Sequence, residues 1–147
     1  MIVHLKKLCV GIPDLDQLSA WQDLKSFPNP LDGSDGEPVV RHITRNTPRR
    51  GEEVLEGGSL YWIIKGIIQA RNPIVGFEEI IREDGKKYCG LLLATPFVET
   101  VPVKHRPIQG WRYFEDAAAP ADLGGGIAKG DALPADLAAE LKGMGLI

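Results

Sequence analysis

Apolar and polar residues recur at two different periods along the chain, and each change of period marks an element. Residues 2–10, IVHLKKLCV, are short, apolar-rich and read as a strand. In GIPDLDQLSAWQDLKSF, Leu15, Leu18, Trp21 (or Gln22) and Leu24 repeat at three- to four-residue spacing, which predicts a helix with one apolar face and Trp21 as a core anchor. Pro13 and the early acids Asp14 and Asp16 suit its first turn. Residues 28–38, dense in Pro, Gly, Asp and Ser, predict a loop. Val39 to Arg45 then alternates as a strand. Val39, Arg41, Ile43 and Arg45 share one face; Val40, His42 and Thr44 share the other.

TPRRGEEVLEGG predicts a short helix with Thr47 as N-cap, Pro48 in the first turn and Gly57 as a left-handed stop. SLYWIIK is β-branched and aromatic, hence a strand. Gly66 allows a bulge or bend, after which IIQARN continues extended or opens the next strand. PIVGFEEIIR predicts another strand, and Asp84-Gly85 a hairpin into KKYCGLLLA. TPFVETVPVKHRP holds a short strand with irregular flanks, and QGWRYF a short extended or turn segment. Residues 115–133 read as a Gly/Ala-rich linker. Residues 134–143 read as a final helix opened by Pro134, stopped by Gly143 and striped by Leu137 and Leu141. The sum is a single domain over 1–147 with a folded core over 2–114. It is α+β, with a curved, mostly antiparallel or barrel-like sheet and peripheral helices at both ends.

Composition adds a charge split. The net charge is −3, yet from Arg41 to Phe114 there are 12 Lys/Arg against 8 Asp/Glu, while the flanks hold 5 against 12. A basic middle is compatible with an anionic ligand. Cys9 and Cys89 each sit in an apolar run and read as buried free thiols. His4, His42 and His105 lack metal-ligand spacing, so no metal and no cofactor is expected. The sequence shows no stretch of the ~20 apolar residues that a membrane span needs, and no signal peptide, so a cytoplasmic protein without a membrane partner is expected.

Three stretches, HLKKLCVG, TPRRGEEVLEGGSLYWIIKGIIQAR and RPIQGWRYF, together resemble a bacterial family catalogued only as a domain of unknown function, number 1489; that resemblance implies no activity. Residues 39–103 also resemble the PUA-like superfamily, which includes the ASCH and EVE domains. The likeness lies in the order of an arginine-bearing strand, short helix, Gly-Gly-Ser turn and aromatic strand, followed by Val75-Gly76-Phe77-Glu78. Gly58-Ser59 stands where those domains carry Gly-Asp, and the long N-terminal helix is a further departure. The second resemblance implies a small β-barrel that binds RNA or a modified base.

The residues themselves point the same way. Arg41, Arg45, Arg49, Arg50, Lys65 and Arg71 supply charge for phosphates, and arginine's planar fork suits bidentate contact. Tyr61 and Trp111 supply faces on which bases stack; Gln109 suits a base edge and Arg112 a phosphate. Tyr61, Ile63 and Lys65 fall on one strand face and Trp62 and Ile64 on the other, which makes Tyr61 the aromatic expected at the surface. The leading expectation is a non-catalytic nucleic-acid-binding module for RNA or a modified base. One alternative is a protein-interaction or structural role through the C-terminal helix. Another is a small-molecule or nucleobase-modifying enzyme using Glu53, His42 or Ser59, although no catalytic motif is present.

Overall fold

The computed structural model describes residues 2–30 and 37–123. In chain order these form β1 (Val3–Leu8), α1 (Leu15–Lys25), β2 (Phe27–Pro28), β3 (Pro38–Thr44), α2 (Gly51–Val54), β4 (Ser59–Ile64), β5 (Ile67–Ile81), β6 (Lys87–Ala94), β7 (Val98–Lys104) and β8 (Trp111–Glu115), with a 3-10 turn at Asp116–Ala118. The strands make one sheet in the order β2-β3-β6-β5-β4-β1-β8, and β7 also pairs β5. Every pairing is antiparallel except β1 beside β4, so the fold is α+β on a mixed sheet. The sheet is open, with β2 and β8 as its end strands, which corrects the expectation of a barrel. The predicted helix over 134–143 and most of the predicted loop over 28–38 lie outside the described residues. Among the described residues no helix is long and apolar enough to cross a membrane.

The long strand β5 organises the sheet. Its first half pairs β4 and β7, and its second half pairs β6. IIQARN and PIVGFEEIIR are therefore one strand, not two. The preceding Lys65-Gly66 is a hairpin turn with both residues at positive φ (50° and 78°), so of the alternatives offered at Gly66 the chain bends and IIQARN opens the next strand. At the far end Gly85 takes φ 80° and Asp84 Oδ1 accepts from Lys86 N at 2.9 Å, closing the β5–β6 turn.

All six residues of β4 are buried, because the strand separates two apolar clusters. Leu60, Trp62 and Ile64 face the main core with Val3, Leu5, Val40, Leu91 and Leu93; Tyr61 and Ile63 face a second cluster with Ile68 and Phe114. The alternation expected along this strand holds, but both faces are covered. Leu8, Ile108 and Ala119 cover the second.

Helix α1 starts at Asp14, whose Oδ1 accepts from Gln17 N at 2.8 Å. Its inward residues are Leu15, Leu18, Trp21 and Gln22; Leu24, expected on that face, is 79% exposed. Gln22 belongs inside because Asn72 answers it. The Gln22 amide donates to Asn72 Oδ1 (2.8 Å), and Asn72 donates to Gln22 Oε1 (3.2 Å) and to the Ala94 carbonyl (2.8 Å). Trp62 Nε1 donates to the same Asn72 Oδ1 at 2.9 Å. One asparagine thus pins α1, β4 and β6 to β5. Helix α2 has Arg50 as its N-cap residue with no side-chain cap, not Thr47, because the turn begins three residues later than the Thr-Pro pair suggests.

Candidate functional site

Strands β3 and β8, which share no backbone ladder, approach each other at one corner. Trp111 Nε1, on β8, donates to the carbonyl of Asn46, just past β3, at 3.2 Å. Arg50 N donates to the Tyr113 hydroxyl at 3.1 Å. Side chains therefore bridge strands that backbone ladders do not, and a cleft of about 540 Å³ stays open between them. Lys7, Ile43, Thr44, Arg45, Asn46, Gly110, Trp111, Arg112 and Tyr113 line it. Lys7 stands directly across the β1–β8 ladder from Trp111, on the same face. The Trp111 and Tyr113 rings meet edge to face, 5.0 Å between centroids and 71° apart.

The basic residues divide by partner. Arg41 Nε lies 2.6 Å from Glu78 Oε1, with its guanidinium stacked over Phe27. Arg50 forks onto Glu53 (2.6 and 3.2 Å), reaches Glu115 (3.4 Å) and stacks over Tyr113. Its hydrogen bonds hold the Glu53 carboxyl below the usual carboxylate range. Arg71 makes a bidentate bridge to Asp122 (2.7 and 2.8 Å) and donates to Ser59 Oγ at 2.8 Å, which likewise depresses the Asp122 carboxyl. Each of these three arginines is thus paired with a carboxylate.

Lys7, Arg45 and Arg112 have no carboxylate partner among the described residues. Arg112 instead donates to the backbone carbonyls of Gln109 (2.9 Å) and Trp111 (3.1 Å). Arg49 and Gln109 are exposed nearby in sequence, outside the cleft lining.

Tyr61 is not at the surface. It is 4% exposed, packed edge to face between His4 and Phe114. Lys65 is exposed, but in the β4–β5 turn rather than on Tyr61's face. Of the sequence-derived set the structure brings together Arg45, Trp111 and Arg112. It adds Lys7, which the sequence hid inside a strand of the opposite end of the chain.

The residues considered for catalysis do not converge. Ser59 is fully buried and its hydroxyl is taken by Arg71. His4 is beside it, but His4 Nδ1 accepts from the Ser59 backbone N–H (2.9 Å) while Nε2 faces Asp116 (2.7 Å), so no nitrogen is directed at the hydroxyl. Glu53 is committed to Arg50, and His42 lines a different cavity. Among the described residues no cluster of three or more His, Cys, Asp or Glu has metal-binding proximity.

Fold and site together define an α+β domain carrying a cationic, aromatic-lined cleft where β3 and β8 approach each other. The chain belongs to the family described as Protein of unknown function (DUF1489), whose model matches residues 5–147. Comparison with curated proteins and with solved structures gave no match.

Proposed function

We propose that the cleft between β3 and β8 binds single-stranded nucleic acid, RNA in the first instance. One observation carries the reading. Lys7, Arg45 and Arg112 line the same cleft as Trp111 without carboxylate partners among the described residues, whereas Arg41, Arg50 and Arg71 each have one. Unpaired cations beside an aromatic face are what a phosphate backbone with unstacked bases requires. The cations neutralise phosphates and Trp111 takes a base, each stack being worth about 1–3 kcal/mol. The resemblance of residues 39–103 to PUA-like domains supports the same class of ligand.

The test is fluorescence anisotropy of a labelled single-stranded RNA. Arg45→Ala and Arg112→Ala are each expected to weaken binding roughly tenfold, since a charge-assisted contact contributes about 1.5–3 kcal/mol. Arg41→Ala, which removes an arginine already paired with Glu78, is expected to leave affinity unchanged. Equal loss from all three substitutions would reduce the effect to overall charge and contradict the cleft.

A further inference from the structure

A second cavity, of about 350 Å³ and within the ~300–1,000 Å³ range of small-ligand sites, shares Arg45 and Asn46 with the cleft. Its further lining includes Phe77, Glu78, Glu79 and Lys87. The Asn46 carbonyl is held on the cleft side, accepting from Trp111 Nε1 (3.2 Å) and from Thr44 Oγ1 (3.1 Å). Asn46 itself is exposed, and its side-chain amide has no hydrogen-bond partner among the described residues.

The two openings differ in charge. The cleft is lined by Lys7, Arg45 and Arg112 and by no carboxylate. In the second cavity Arg45 and Lys87 stand against Glu78 and Glu79. A phosphate is drawn to the first and gains nothing in the second, where a balanced, hydrogen-bonding lining suits an uncharged base. Glu78 is held by Arg41 Nε at 2.6 Å. Glu79 is looser: Lys87 Nζ lies 3.7 Å from its Oε1, and the two side chains are 72% and 61% exposed. Such a surface pair has little net worth, so a ligand exchanges with it readily. Glu79 shares a strand face with Phe77, two residues earlier on β5, so carboxylate and ring border one opening.

A carboxylate only accepts, whereas a side-chain amide both donates and accepts. The exocyclic amino group of adenine or cytosine donates to the first, and the ring nitrogen beside it accepts from the second. Uracil presents carbonyl oxygens instead, and its one ring N–H lies between them, so a carboxylate is repelled.

We infer that the second cavity receives the base next to the one on Trp111, that the phosphate joining them lies on Arg45, and that Glu79 with Asn46 selects a base carrying an exocyclic amino group over uracil. The inference rests on the function proposed above, since Arg45 serves both openings.

The test uses the full chain and fluorescence anisotropy with labelled short oligomers of uridine, cytidine or adenosine at low salt. The cytidine and adenosine oligomers are expected to bind roughly tenfold more tightly than the uridine oligomer, the worth of one hydrogen bond to a charged group. Glu79→Ala is expected to bring both to the uridine affinity. A carboxylate acting through charge alone would, on removal, tighten all three alike, and that result overturns the selection. A second arm needs no variant: the dinucleotide CpC is expected to compete at least roughly tenfold better than 5′-CMP, because the link makes binding of the second base intramolecular. Oligomers that bind without base preference, with CpC no better than 5′-CMP, sink this inference and leave the cleft reading standing. Absence of binding by every oligomer sinks both.

Discussion

His42 and Gly58 show how single residues constrain this molecule. Below the ordinary histidine pKa of 6.5 the unfolded chain takes up a proton that the folded imidazole, at about 4, refuses. More protons on the unfolded chain mean that stability rises with pH across that window. The His42 contribution is therefore intact above about 6.5 and is lost as the pH falls toward 4. Urea unfolding at about pH 7 and about pH 5 is expected to show a larger loss in the wild type than in His42→Phe. An equal loss would mean that His42 is not held neutral. Gly58 is constrained by space: a Cβ there would collide with the carbonyl oxygens of Val3 and Val54. Both obstacles are backbone, so Gly58→Ala is expected to destabilise by about 3 kcal/mol or more. Gly110→Ala meets nothing within 4 Å and carries only the strain of φ 62°, roughly 1–2 kcal/mol. Thermal denaturation of the two variants checks the order.

At the scale of elements, Asn72 is the junction. It is fully buried and bonded to Gln22, Trp62 and Ala94 at once. Asn72→Ala strands the Gln22 amide and the Trp62 indole N–H without their partner, each at about 1–3 kcal/mol. The expected result is a fall in unfolding free energy of roughly 2–5 kcal/mol, with α1 exposed first in hydrogen exchange. A loss below about 1 kcal/mol would show that the junction is not needed. Elements with a strong local period or turn chemistry were legible in the sequence: α1, β3, β4 and the Asp84-Gly85 turn. At Lys65-Gly66 the glycine signalled a bulge or bend but not which, because apolar residues run on both sides of it and a lysine at φ 50° adds no sign of its own. Merging IIQARN with PIVGFEEIIR was equally hidden, since Pro73 sits inside β5 opposite Ser59. The burial of Gln22 in place of Leu24 depends on Asn72, 50 positions away, and no local pattern encodes that.

For the whole molecule, the sequence located a basic, aromatic middle but not which charges are free. That depends on long-range pairing. Arg71 meets Asp122, and Arg50 meets Glu115, only because β8 and the segment after it return to the sheet. The same return places Trp111 across from Lys7 and leaves Lys7, Arg45 and Arg112 around one cleft. Tyr61 was lost to the second apolar cluster for a related reason: Phe114 and Ile108 cover a strand face that alternation alone leaves open.

The central claim is that these three cations act together on phosphates. The most direct measurement is the salt dependence of single-stranded RNA binding in the wild type and in Arg45→Ala/Arg112→Ala. Three neutralised phosphates predict a slope of log K against log salt near −2 in the wild type, and one predicts a slope near −0.7 in the double variant. No binding at low salt, or a slope that the substitutions leave unchanged, would contradict the account.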